Sequence, residues 1–296
     1  MSLIKSSTKW VLFLSSSADS EHRHIMDLAF GLLCLESAGI DQNDINIYID
    51  GRDRILINQL ISSGTNNNYT VKESKDFFCD QANNKHENLV LFVTGHGSIQ
   101  GIDAPHPITP YALLRAIKQT PHLKSAVVYL GQCHAGIFNY IGAGRKVGQN
   151  GATEPEVILI GATNLHESLS SSTSENLVSG PTPWVANLFL LSVFKWISSP
   201  IDVDGDGKIT VIDSYKYAGV SSNIINKSIK INSFVRSLDL HDKWMAARAA
   251  NQANPTVQSQ LALKALQTQY ESELEVRYTH QECWILNSIP AQHIEF

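Results

Sequence analysis

Cysteine is scarce in this chain, long apolar runs are absent, and there is no block of basic residues. Cys34, Cys79, Cys133 and Cys283 are the 4 cysteines in 296 residues. So few and so scattered, they exclude a disulfide framework and fit a reducing compartment. Cys34 and Cys79 fall in stretches that read as helix, where a small buried hydrophobe is expected. A net charge of -5 and a pI of about 6.1, with no Lys/Arg cluster, leave no electrostatic footprint for nucleic acid. The first apolar stretch, Trp10–Leu14, is shorter than a signal-peptide core and reads as a strand. The strongest run, Trp184–Ile197, is too short to span a bilayer and is interrupted by Lys195. The expectation is a soluble, cytoplasmic protein with no membrane partner and no internal repeats.

What is present is an ordinary globular composition, 43% hydrophobic with a mean hydropathy of -0.10. The length suits one large α/β domain or a domain with an appendage. Strands are expected at Trp10–Leu14, Ile45–Ile49, Leu89–Val93, Ala126–Leu130 and Val157–Ile160. Between them lie helical patterns at His22–Ser37, Arg54–Ile61, Lys72–Gln81 and from Pro110 to about Lys118, where Thr109-Pro110 supplies an N-cap and a first-turn proline. Trp184–Ser198 reads as a helix. Alternation of this kind predicts a mostly parallel sheet with helices on both faces, a three-layer α/β sandwich. Two polar segments, Gly142–Glu154 and Ser168–Ser174, read as loops on the rim that ends the strands. Beyond residue 220 a mainly helical extension over 221–296, including Thr256–Glu275 and an apolar strand Cys283–Leu286, is expected to pack on the domain formed by 1–220. The Cys283 strand either closes its own sheet or pairs with another chain.

Two strand ends carry the chemistry. Asn88-Leu-Val-Leu-Phe-Val-Thr-Gly-His96-Gly97 ends in an imidazole, and Ala126-Val-Val-Tyr-Leu-Gly-Gln-Cys133-His-Ala-Gly136 ends in a thiol. Parallel strands end on one side, so both groups are expected on one rim. A thiolate is reachable near neutral pH when an imidazole is at hand, which makes Cys133 the candidate nucleophile and His96 its base. The N–H groups of Gly97 and Cys133 are the candidate oxyanion donors, with a following helix N-terminus favouring negative charge. His134 competes for the imidazole role, but adjacency to Cys133 should turn it away from the thiol.

A second constellation lies at Asp202-Val-Asp204-Gly-Asp206-Gly207-Lys208-Ile209-Thr210-Val-Ile-Asp213. Acids at loop positions 1, 3, 5 and 12, with glycine at 6, match a calcium-binding loop. Asp202, Asp204, Asp206 and Asp213 are the expected carboxylate ligands, Lys208 gives a backbone carbonyl, and Thr210 a hydroxyl or water. An all-oxygen shell suits Ca²⁺.

The order of these motifs resembles the caspase, metacaspase and legumain group (clan CD) of cysteine peptidases, in particular prokaryotic caspase-like proteases. Leu91-Phe-Val-Thr-Gly-His96-Gly97-Ser98 is similar to the legumain histidine motif, and Cys133-His-Ala-Gly136 to the metacaspase Cys-His-Ser-Gly. Arg23-His24 followed by Asp27 resembles the legumain Arg-His element and the caspase arginine. Gly161-Ala-Thr-Asn-Leu-His-Glu167-Ser168 resembles the legumain strand that lines the specificity pocket. The resemblance spans about residues 8–220 and implies a caspase-like fold and an endopeptidase with a Cys133–His96 dyad. It implies substrate contacts from Arg23, Gly131 and Ser168. It also makes calcium dependence, self-processing in either loop and a regulatory protein partner natural expectations. The sequence departs from the pattern in two places. The His96-to-Cys133 spacing is shorter than the roughly 50 residues of caspases. Gly131 stands where metacaspases place the acid that binds a basic substrate side chain, so Arg23 points instead to an acidic or amide side chain. The alternatives are a calcium-binding scaffold of the same fold without turnover, and a cysteine hydrolase acting on other amides or esters.

Overall fold

A computed structural model describes residues 1–147, 153–279 and 281–296. Its centre is a seven-stranded sheet in the order β11-β8-β7-β4-β1-β2-β3. The strands are β1 (Thr8–Leu14), β2 (Ile45–Ile49), β3 (Val71–Lys72), β4 (Asn88–Thr94), β7 (Ser125–Leu130), β8 (Glu156–Gly161) and β11 (Trp284–Leu286), while the short β5 (Gly97–Ser98) and β6 (Gly101–Ile102) pair with each other outside it. All neighbours are parallel except β11, which runs antiparallel to β8. Every residue of β1, β4 and β7 is buried, as continuous apolar runs covered on both faces must be. The chain therefore forms a three-layer α/β sandwich.

Alternation along the strands sorts the core into two faces. Val11, Phe13, Leu91, Val93, Val128 and Leu130 pack with Phe77 of α3 (Ser74–Gln81) and Leu113 and Ile117 of α4 (Pro110–Lys118). On the opposite face Phe92 lies 4.9 Å from Phe194 of α5 (Leu188–Ser198), and Tyr129 6.4 Å from Phe189. Also on that face, Gly31 of α1 (His22–Ser37) meets the Phe194 ring. α2 (Arg54–Ser62) packs on α1.

The strand order reverses between β1 and β4: β2 and β3 follow β1 to one side, while β4, β7 and β8 lie on the other. Open α/β sheets bind ligands outside the carboxyl ends of the strands at such a reversal. The loops leaving Leu14 and Thr94 flank it, and the loop leaving Leu130 is the next one along.

Several local expectations are corrected. Trp184–Asn187 is not the start of a helix but the end of strand β10 (Gly180–Asn187), and Ser168–Ser174 is not a loop throughout, because β9 (Ser170–Leu177) pairs with β10 in an antiparallel hairpin. Alternating small polar side chains satisfy a two-residue period as well as a loop does, and the hairpin turn, Val178–Ser179, carries none of the Asn-Gly or Asp-Gly pairs that mark a two-residue turn. The helix begins one residue after Asn187, whose side chain accepts from the Leu190 N–H as an N-cap. Cys34 is buried, with its thiol pushed up to about 12 by burial, whereas Cys79 is exposed. Cys283–Leu286 closes the chain's own sheet through β11.

The chain divides into two compact units. The first holds Met1–Ser222 together with Gln281–Phe296, so the last segment belongs with the sheet rather than with the helical extension. The second, Asn223–His280, is a helical hairpin built from the distal part of α6 (Val211–Ala253) and from α7 (Val257–Glu275). Within it Trp244 stacks on Tyr270, and Lys230 Nζ donates to the Val276, Arg277 and Thr279 carbonyls. Among the described residues, no helix is long and apolar enough to cross a membrane.

Candidate active site

Cys133 follows β7 and His96 follows β4, the adjacent parallel strand. The two turns touch through Gly97. A Cβ built on Gly97 would lie 2.3 Å from the Cys133 carbonyl oxygen and 2.5 Å from Gln132 Cγ. Only glycine permits this approach, and it brings the two strand ends together. Gly97→Ala should therefore displace the Cys133 turn. A displacement of roughly 1 Å costs on the order of 10²-fold in rate, so the variant is expected to fold but to lose reactivity toward a thiol-directed probe. Labelling at the wild-type rate would contradict this.

Cys133 is half-buried, and its sulfur is held by Ser168: the Ser168 N–H lies 3.4 Å and its hydroxyl 3.6 Å from Sγ. The Ser168 hydroxyl also donates to the Gly131 carbonyl at 3.2 Å. Among the described residues the hydrogen-bond partner of Sγ is Ser168, not His96. His134 occupies a left-handed conformation (φ 55°), and its Nδ1 faces the Leu165 carbonyl at 3.3 Å. The helix expected after Cys133 is a short 3₁₀ segment, Ala135–Tyr140. It supplies no aligned α-helical dipole behind the thiol.

His96 is exposed, and Glu21 fixes its orientation. Nε2 lies 2.6 Å from Glu21 Oε1, and the other carboxylate oxygen takes Arg23 Nε at 2.5 Å. Arg23 first, and His96 after it, hold the Glu21 carboxyl down to about 2. The Glu21 carboxylate accepts from Nε2, so in the neutral ring Nε2 carries the proton and Nδ1 keeps a lone pair. Sequence reasoning missed Glu21. It sits just before α1 as the N-cap residue, far from His96 in sequence, and only the adjacency of β1 and β4 joins them.

Arg23 is divided between Glu21 and Ser170 Oγ, 3.2 Å from Nη1. Gly131 is buried: a side chain there would press into Leu190, at 2.7 Å, and its carbonyl accepts from Asn187 Nδ2 at 2.5 Å. Behind the rim Asp27 accepts from Thr94 Oγ1 (3.0 Å), Trp184 Nε1 (2.9 Å) and the Asn187 N–H (3.2 Å). This one buried carboxylate ties α1 to β4 and to the β10–α5 corner.

In the acidic loop Asp202, Asp204 and Asp206 present carboxylate oxygens within 4.8 Å of one another. Asp213 lies apart from them. It is buried and accepts from the Val203 N–H, the Thr210 N–H and Thr210 Oγ1. Lys216 pairs with Asp204 at 2.5 Å. Residues 148–152 of the Gly142–Glu154 segment lie outside the described residues; its flanks are joined by a Val147–Thr153 bridge and by Lys118 Nζ, which donates to the Gly144 carbonyl and pairs with Glu154.

No protein-family model matches the chain, and no curated protein matches its sequence.

Proposed function

We propose that the chain is a cysteine endopeptidase of the caspase-like kind, acting on protein or peptide substrates. The observation that carries this reading is the placement of Cys133 and His96 at the ends of neighbouring parallel strands, beside the strand-order reversal, with His96 Nε2 already engaged by Glu21. His96 Nδ1 is then the nitrogen left to take the Sγ proton. The thiolate attacks the scissile carbonyl carbon, and the N–H groups of Gly97 and Cys133 receive the oxyanion. His96 returns the proton to the leaving amine, and water, deprotonated by the same imidazole, releases the acyl group from sulfur. Arg23 favours an acidic or amide side chain at the cleavage position, Ser168 and the Gly131 backbone line the thiol's surroundings, and Gly131 itself offers no acidic anchor for lysine or arginine. Pairing of β9 with β10 makes Ser170–Ser174 a poor substrate for self-cleavage and leaves Gly142–Glu154 as the candidate segment. Four free cysteines fit a cytoplasmic setting.

The contact of Sγ with Ser168 rather than His96 favours a second reading, a scaffold without turnover. An acyloxymethyl-ketone or epoxide probe decides between the two when followed by cleavage profiling on a proteome-derived peptide library. Labelling at Cys133 and cleavage after acidic or amide residues support the peptidase. Absence of both supports the scaffold, and cleavage confined to lysine and arginine would overturn the specificity.

The acidic loop is proposed to hold calcium through Asp202, Asp204 and Asp206, with the Lys208 carbonyl. The converging carboxylates fit such an ion, while Asp213 serves the loop's own backbone. Its role is structural, stiffening the entry to α6. Calcium at about 100 times its Kd should add roughly 2.7 kcal/mol of stability, raising Tm, and Asp202→Ala should remove the increment. A Tm indifferent to both calcium and chelator would end this assignment.

A further inference from the structure

His24 has an unusual surplus. It is buried within the first turn of α1, and its Nε2 has no hydrogen-bond partner. Its other nitrogen is accounted for. The Thr94 hydroxyl gives its one proton to Asp27 Oδ2 at 3.0 Å, so toward His24 Nδ1, at 3.3 Å, it can only accept. Nδ1 therefore carries the ring proton and Nε2 presents a bare lone pair, oriented from behind by a hydroxyl and a carboxylate. Protein metal sites hold their imidazoles in this way. The His96 ring stands edge-on to His24 with centroids 5.2 Å apart, and Glu21 completes the group. One ligand atom from each of Glu21, His24 and His96 lies within 4.8 Å of the others.

We propose that Glu21, His24 and His96 form a binding site for a zinc-class divalent cation, built without Cys133. Two imidazoles and one carboxylate select a borderline metal over Ca²⁺ or Mg²⁺, which prefer all-oxygen shells. At metal–ligand distances of about 2.0–2.1 Å, tetrahedral geometry asks for ligand atoms about 3.3 Å apart. Glu21, before α1, and His96, in the loop after β4, are the exposed members that close this gap around the buried His24. A water fills the fourth position.

Occupancy has a consequence for His96 that rests on the peptidase reading. A metal on His96 Nε2 moves the ring proton to Nδ1, the nitrogen that must accept the thiol proton. The imidazole then cannot act as base, so the metal inhibits by fixing the tautomer and leaves Cys133 uncoordinated.

The test uses the full chain, stripped of metal and titrated with Zn²⁺ by calorimetry near neutral pH, with calcium present to occupy the acidic loop. One site is expected. Glu21→Gln and His24→Gln should each weaken it by about tenfold or more, and Cys133→Ala should leave it unchanged. Glu21 is exposed, so Glu21→Gln decides the matter if His24→Gln does not fold. Co²⁺ should give visible d–d bands without a thiolate charge-transfer band. Binding unaffected by Glu21→Gln, binding lost in Cys133→Ala, or a thiolate band would each overturn the proposal. Because these readouts need no substrate, zinc binding without probe labelling of Cys133 would refute the peptidase alone, and labelling without zinc binding would refute the metal site alone.

Discussion

Cys133→Ala is expected to lower kcat/KM on any peptide the wild-type chain cleaves by about 10⁴-fold or more, and His96→Ala by a comparable factor. The loss follows from the roles assigned to the pair. Without sulfur no acyl-enzyme forms, and without the imidazole neither the thiol proton nor the leaving amine is managed. Because the two act as one unit, the double variant should be scarcely worse than either single variant. Glu21→Gln is expected to be milder, because an amide still orients His96 but no longer stabilises the imidazolium formed after proton transfer. The measurement is single-turnover hydrolysis of a fluorogenic peptide, with thermal unfolding run in parallel. Cys133 is only half-buried, and among the described residues its sulfur is hydrogen-bonded by Ser168 alone, so its alanine variant should unfold close to the wild-type temperature. Cys133→Ala turnover within tenfold of wild type would remove Cys133 from the mechanism.

The second large effect concerns stability. Asp27 is buried, and its carboxylate accepts from Trp184 Nε1, the Asn187 N–H and Thr94 Oγ1. Asp27→Ala strands the indole and the backbone N–H in the buried interior, and each buried unsatisfied donor costs about 1–3 kcal/mol. Thr94 recovers part of the loss by donating to His24 Nδ1 once the imidazole proton moves to Nε2. The variant should lose roughly 3–5 kcal/mol, a fall in Tm on the order of 10 °C. Asp27→Asn keeps one acceptor oxygen and should fall between the two. An Asp27→Ala variant that melts with the wild type would show that this hub does not hold α1 to β4 and β10. Asp27 anchors the helix that begins beside Glu21 and carries His24, so loosening it should also weaken the Glu21–His96 contact.

Where sequence and structure agree, the signal was local. β1, β4 and β7 announce themselves because a strand covered on both faces needs an unbroken apolar run, and such runs show in linear sequence. The glycines and the single imidazole or thiol at the ends of β4 and β7 show for the same reason. The hairpin β9–β10 was hidden: its Ser/Thr-rich first strand looks like a loop, and its second runs into a helix as apolar as itself. The return of Gln281–Phe296 to the sheet unit was hidden as well, since no local pattern says which distant edge a three-residue strand will join.

The sequence by itself determined the strand–helix alternation, the parallel sheet, the thiol and imidazole at strand ends on one rim, and the clustering of Asp202, Asp204 and Asp206. Each is a matter of period or spacing along the chain. Only the tertiary structure decided that Glu21 orients His96, that Ser168 holds the Cys133 sulfur, that Asp213 turns to backbone N–H groups, and that His24 keeps a buried lone pair beside His96. Those pairings join residues from separate loops, and strand order, which no local pattern encodes, is what sets one loop beside another.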